Sequence, residues 1–263
     1  MLFRMKEFPE ETGLHIGRQG VLLYLTETDG YSMQCGAESG RYCMKISKTA
    51  CPHWKWAVLD FLEYHKEMGR EVVLSIQERD LQEARQAYRG HSHTEKRLRE
   101  GEPAVLVHST PVSHWESIRS DGCLKSWNLL KAERTDWEAA PIGRLLGDPE
   151  DFCDYVMLSD GSVSGEIVVL SKQKGYILME EETTYETGVR LYFDAERMAR
   201  DGLLVRDGGH LKVKDRLPLD PYLLWAGDWK RAGLPSPVST PRAFTAACND
   251  RFRHLFQKPL AAE

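Results

Sequence analysis

The residues best suited to chemistry lie in Val105-Leu-Val-His-Ser-Thr110, where an apolar run ends in an imidazole and two small hydroxyls. A neutral imidazole donates from one nitrogen and accepts at the other, and each hydroxyl does both. Such a trio can hold a polar ligand in one orientation. Taken alone, a histidine at a strand end is met by a backbone carbonyl, and Tyr155, heading the apolar Val156-Met-Leu158, is core packing. Glu166, at the edge of the apolar run from Ile167, and Glu196 are carboxylates further along the same stretch of chain. Arg190, Arg197, Arg200 and Arg206 form either a basic patch or a solvated surface. Upstream, Gly90-His91-Ser92, just after Arg85 and Arg89, reads on its own as a helix end with polar residues after it. Cys35, Cys43, Cys51 and His53 suggest zinc, but seven residues separate successive cysteines, unlike a compact knuckle, so ordinary buried thiols and no metal are expected.

The elements that must position these groups follow from periodicity. Gly20 to Leu25 is an apolar run before Asp29-Gly30, which predicts a strand and hairpin. Trp54, Val58, Phe61, Leu62 and His65 recur at helical spacing and Gly69 closes that helix. Val72 to Ile76 reads as a strand, and Leu81, Ala84 and Tyr88 as a second helix. Gly101-Glu102-Pro103 is a turn-forming junction, taken as a boundary. Beyond it come a strand at Ala104 to His108 and a short helix around Trp115 and Ile118, stopped by Gly122. Further strands are expected at Val156 to Leu158, Ile167 to Leu170, Tyr176 to Met179 and Val189 to Phe193. Asp194 caps a short helix over Ala195 to Arg200. From Leu234 the chain is rich in Pro and Ser and is expected to leave the core as a linker before a terminal helix at Ala243 to Phe256.

His108-Ser109-Thr110, followed by Trp115, Ile118 and Asp121-Gly122-Cys123-Leu124, resembles the first motif of the ADP-ribosyltransferases. Within that superfamily it is most similar to the RNA 2′-phosphotransferases, whose motif reads His-Gly-Thr … Trp-x-x-Ile … Gly-Leu. Phe193-Asp194-Ala195 … Met198 … Asp201-Gly202 … Gly208-Gly209-His210-Leu211 … Leu217-Pro218 … Tyr222-Leu223 resembles the C-terminal signature of that family. Tyr155-Val-Met-Leu-Ser159 stands where the family has His-Val-His-Leu-Ser. The resemblance covers about 120 residues.

It implies NAD as cofactor, bound by His108, Ser109, Thr110 and Tyr155, with ADP-ribose passed to an acceptor such as an RNA 2′-phosphate. A His-Tyr-Glu variant of the site would use Tyr155 and Glu166, with Arg190 beside them, as catalytic groups. Arg85, Arg89, His91, Ser92 and Arg206 would meet the substrate phosphate. The chain also departs from the pattern. No Leu-Arg-His motif occurs near the N-terminus, and the family's phosphate-binding arginines fall at Gln86 and near Thr184. Two other readings therefore stand beside it: ADP-ribosylation of a protein, nucleic acid or small molecule, and a nucleotide- or RNA-end-binding module without turnover.

The expected fold is α+β, with an N-terminal α/β lobe over residues 1–102 and an ADP-ribosyltransferase-like split antiparallel β-sandwich with flanking helices over 103–232. Residues 233–263 are the Pro-rich linker and terminal helix. Lys plus Arg number 35 against 40 Asp plus Glu, a net charge of −5, which argues against indiscriminate nucleic-acid binding. A local basic groove for one phosphorylated end remains compatible with it. No apolar run reaches the ~18–20 residues that cross a bilayer, the first residues lack an apolar signal core, and the six cysteines are widely spaced. A reduced, cytoplasmic setting without a membrane partner is the expectation.

Overall fold

The computed structural model describes residues 4–5, 20–27, 32–38, 40–133, 143–144 and 147–260. The chain divides into two units. The first takes residues 1–95, 143–152 and 205–211; the second takes 96–142, 153–204 and 212–263. The division falls before the Gly101-Glu102-Pro103 junction, and two later segments return to the first unit.

In the first unit, β1 (Arg4–Met5), β2 (Val21–Thr26), β3 (Met33–Glu38), β4 (Arg41–Ser47) and β5 (Val72–Ser75) form one sheet in the order β1-β5-β2-β4-β3. β2 lies parallel to both β4 and β5, with Leu22 opposite Cys43 and Val73. The continuous apolar run Val21-Leu22-Leu23 suits a central strand of a parallel sheet, which is covered on both faces. The hairpin expected after β2 is therefore not its pairing. The turn at Asp29-Gly30 lies outside the described residues, and the hairpin of this sheet joins β3 to β4 through Gly40, at φ 74°. α1 (Trp54–Glu67) and α2 (Glu78–Ala87) follow at the predicted places. α1 buries Trp54, Val58, Phe61, Leu62 and His65, the residues its periodicity singled out.

The second unit opens with β6 (Val105–Thr110), α3 (Val112–Asp121), β7 (Cys123–Lys125) and α4 (Trp127–Glu133). Gly122, at φ 67°, takes the left-handed conformation that ends α3. There follow β8 (Tyr155–Leu158), α5 (Ser164–Lys174), β9 (Tyr185–Glu186), β10 (Val189–Asp194), α6 (Ala195–Arg200), β11 (Leu204–Arg206), β12 (Leu211–Lys214), β13 (Arg216–Pro218), β14 (Leu223–Gly227), α7 (Trp229–Ala232), β15 (Val238–Ser239) and α8 (Pro241–Phe256). β11 straddles the division between the units. The main sheet is antiparallel in the order β14-β10-β6; β13 pairs with β7, β15 with β9, and β12 lies beside β8. The molecule is thus mixed α+β, with several sheets and none closed among the described residues. No described helix is long and apolar enough to cross a membrane.

Three expectations are corrected here. Ile167 to Leu170 belongs to α5 and not to a strand, and Tyr176 to Met179 forms no strand. A four-residue continuous apolar run such as Ile167-Val-Val-Leu170 does not distinguish the two states by periodicity. Gly175, left-handed at φ 76°, closes α5 as a helix. The C-terminal segment is no linker. α8 starts at Thr240, whose hydroxyl accepts from the Ala243 amide, with Pro241 in its first turn. Its Phe244, Cys248 and Phe252 are wholly buried against Val105, Val107, Val169, Leu170 and Tyr192. The prolines shape the approach to a core helix.

Candidate functional site

β6 places the His-Ser-Thr trio by strict alternation. In its pairing with β10, His108 stands opposite Leu191, Ser109 opposite Arg190 and Thr110 opposite Val189. Opposed residues share a face, so Ser109 lies on the side of Arg190 while His108 projects on the other. On its far edge β6 meets the β8 segment at one isolated bridge, where Val107 and Ser159 exchange both backbone hydrogen bonds at 2.8 Å. His108 reaches across beyond that bridge. Its Nδ1 lies 3.0 Å from the Met157 carbonyl, which can only accept, so Nδ1 carries the proton and Nε2 keeps its lone pair. Burial disfavours the cation and, despite that carbonyl, brings the imidazole down to about 4. His108 is a neutral acceptor at physiological pH.

Ser109 is buried, and its hydroxyl has no hydrogen-bond partner. It faces the first turn of α5: a Cβ added to Gly165 would lie 2.7 Å from the Ser109 Oγ. Thr110 is buried as well. Tyr155 is also buried, with the Lys212 ammonium 4.7 Å from its ring centroid. The cation occupies one face of the ring that the resemblance assigns to nicotinamide.

Glu166 and Arg190, expected as catalytic groups, are placed otherwise. Both are wholly buried, and Arg190 Nη1 lies 3.4 Å from Glu166 Oε1. Arg190 donates to the Gly161 carbonyl at 2.7 Å, to Thr245 Oγ1 at 3.2 Å and to the Tyr192 hydroxyl at 3.2 Å. Tyr185 donates to Glu166 Oε2. Burial, and then the carboxylate beside it, push the Tyr185 phenol far up. Asn249 accepts from Tyr192 at 2.9 Å and donates to Gly161 at 3.0 Å. This network ties β10, α5, α8 and the loop before α5 together, and its ions are spent on one another. The correction has a simple cause. Glu166 sits in the buried first turn of a helix, and Arg190 faces α5 and α8, one element mistaken for a strand and the other for part of a tail. Tyr185, Thr245 and Asn249 escaped notice for the same reason. Thr245 and Asn249 stand one helical turn apart on the face of α8 that carries Phe252, a signal legible once α8 is read as core.

The expected phosphate contacts lie in the first unit. Arg85 and Arg89 are exposed on and just after α2. Arg206 is buried and donates to the Glu95 carbonyl at 3.2 Å, a structural use of its charge that corrects its reading as a substrate contact. His91 bridges two carboxylates of α1, with Nε2 2.8 Å from Asp60 and Nδ1 2.9 Å from Glu63. Ser92 pairs with the Thr94 hydroxyl at 3.1 Å. Glu196 lies exposed in the first turn of α6, and Asp194 caps that helix as expected, accepting from the Arg197 amide at 3.0 Å. Cys43 and Cys51 are buried and Cys35 exposed, all as free thiols. No group of His, Cys, Asp and Glu among the described residues is arranged to hold a metal ion. No family model, curated protein or solved structure matches this chain.

Proposed function

We propose that the second unit binds NAD at the end of β6 and transfers its ADP-ribose to an acceptor, as the resemblance to the RNA 2′-phosphotransferases implies. The observation that carries this reading is His108. Its tautomer is fixed by the Met157 carbonyl, and its Nε2 lone pair is left for a ribose hydroxyl, beyond the point where β6 and the β8 segment cease to pair. A neutral imidazole held in this way orients a ribose without placing a positive charge against the cationic nicotinamide ring. In the transfer, the bond from the ribose anomeric carbon to nicotinamide breaks, the nicotinamide leaves neutral, and an acceptor oxygen or nitrogen bonds to that carbon. An RNA 2′-phosphate is one acceptor, with a protein, another nucleic acid or a small molecule as the alternatives.

One observation favours a second reading, a binding module without turnover. The carboxylate and guanidinium expected as catalytic groups are wholly buried and paired with each other. Nicotinamide release separates the two. Release that rises with 2′-phosphorylated RNA, and not with unmodified RNA or protein, identifies the phosphotransferase. Release with another acceptor identifies a general ADP-ribosyltransferase. NAD binding without release under any of these conditions contradicts the transfer step and leaves the binding module.

A further inference from the structure

We infer that the C-terminal end of α5, with Lys172, Lys174 and Tyr176, is a platform for a single strand of nucleic acid. The inference rests on the transfer reading above and names the class of acceptor. Both lysines are exposed, and neither has an ion-pair or hydrogen-bond partner among the described residues. Other surface cations of the second unit are committed: Lys125 to Asp121 and Glu133, Arg242 to Glu181 and Glu182, Arg253 to Asp250, and Lys258 to Asp194. Two residues apart on a helix, Lys172 and Lys174 leave it about 200° apart. A strand laid across the helix end therefore meets an ammonium on either side. Lys172 stands near enough to His108 that its charge helps to keep the imidazole neutral, which sets this end of α5 beside the candidate site.

The independent observation is Tyr176, the residue after the left-handed Gly175 that ends α5. It is 57% exposed, the one aromatic among the large apolar side chains left open on the described surface. The loop that carries it is fixed. Ser171 Oγ, in the last turn of α5, accepts from the Leu178 amide at 3.0 Å and donates to the Leu178 carbonyl at 3.2 Å. Leu178 itself packs on the core. Gln173 ties the helix end to β9, accepting from the Glu186 amide at 3.2 Å and donating to its carbonyl at 2.6 Å. A ring held out on a braced loop stacks on a base at little entropic cost, and cations beside it take the phosphates. A duplex keeps its bases stacked away from such a ring, so the fit is to a single strand. Glu181 and Glu182 are paired with Arg242, which leaves Glu180 and Glu186 as the neighbouring carboxylates that oppose the strand. The net charge of −5 does not prevent this, because the two ammonium groups act locally.

The test uses the full chain with a fluorescent single-stranded RNA oligonucleotide, the same sequence as a duplex, and vesicles of phosphatidylcholine with phosphatidylserine. The single strand is expected to bind more tightly than the duplex, without NAD, and more weakly as salt rises. Tyr176→Ala is expected to weaken it about tenfold, the loss of one stacked base. Lys172→Gln and Lys174→Gln are each expected to lower the slope of log affinity against log salt by about 0.7. Lys131→Gln, at an exposed site on α4, is expected to leave binding unchanged. Lysines that serve only the dipole of α5 would change the melting temperature and not the salt slope. Binding weakened in Tyr176→Ala and in the two α5 lysine variants, at unchanged melting temperature, upholds the platform even if NAD does not bind, in which case the transfer reading alone falls. No RNA binding at low salt, or RNA binding that these three variants leave unchanged, overturns the platform and, where NAD binds, spares the transfer reading. Vesicle binding governed by these residues, without RNA binding, overturns it in favour of a membrane surface.

Discussion

Arg190 in the second unit and the Arg85–Arg89 pair in the first carry the same guanidinium into opposite circumstances. Arg85 and Arg89 are exposed, on and just beyond a helix that buries only Asp80, Leu81 and Ala84. Arg190 has no exposed surface and gives its donors to Glu166, Tyr192, Thr245 and the carbonyls before α5. An exposed guanidinium lies where a phosphate could reach it; this buried one is the partner of a carboxylate and of carbonyls. What decides between the two is the element opposite, since arginine supplies the same fork in both places. The difference teaches that the charged pair beside the His108 strand holds the second unit together, while Arg85 and Arg89 stand at the surface of the first.

The sharpest way to break this comparison is to remove Arg190. Arg190→Met should destabilise the second unit by about 3–5 kcal/mol, because it leaves a buried Glu166 without its cation and takes a donor from the Gly161 and Ser162 carbonyls. Glu166→Gln should cost less. The double variant should recover part of the loss, since replacing a buried pair is milder than breaking one. Chemical denaturation of the three variants measures this. A loss below about 1 kcal/mol for Arg190→Met would mean that the guanidinium is not committed as described.

A second prediction concerns His108. Its folded pKa is lowered from 6.5 to about 4, chiefly by burial. Between those values the unfolded chain binds a proton that the folded chain refuses. The stability contributed by the neutral ring is therefore full above pH ~6.5 and is lost as pH falls toward 4. The loss should amount to about 1–3 kcal/mol, with the lower end reflecting the part of the residue that remains open to solvent. Denaturation midpoints followed from pH 7 to pH 4 should show that slope in the parent protein and a reduced slope in His108→Gln. Equal slopes would mean that the ring is not protected as its surroundings imply.

The smallest effect belongs to the other side of the comparison. Arg85→Ala and Arg89→Ala should each change stability by no more than about 0.5 kcal/mol, as exposed substitutions do. They are therefore clean probes: a change in binding of a 2′-phosphorylated oligonucleotide would be due to lost contact and not to lost fold. Binding unchanged in both variants would remove these arginines from the substrate account.

Much of this arrangement was legible in the sequence, and the exceptions share a cause. α1, α2, β5, β6, α3, β8, β10 and α6 follow from periodicity, caps and glycine stops, because those signals are local. His108 was legible in its bland form too, as a strand-end imidazole met by a backbone carbonyl. What escaped was long-range. Ile167-Val-Val-Leu170 has strand composition but packs as a helix against β6, and only the tertiary partner chooses between the two. Pro235, Pro237 and Pro241 suggest a departing tail, yet Phe244, Cys248 and Phe252 on the following helix complete the core around Val107 and Tyr192. With α5 read as a strand, and α8 foreseen as a helix but not as part of the core, Glu166 and Arg190 had no visible reason to be buried. They looked like chemistry, and the structure makes them a buried ion pair.

The central claim, that the end of β6 is a nucleotide site organised by His108, is tested most directly by titrating NAD into the parent protein and His108→Ala by calorimetry. The account predicts measurable binding by the parent, nearly constant between pH 5 and pH 9 because the imidazole stays neutral there. It predicts binding weaker by about 1–3 kcal/mol in the variant, the cost of losing a hydrogen bond made in a desolvated site. No heat of binding from the parent at millimolar NAD, or equal affinities in a folded His108→Ala, would contradict it.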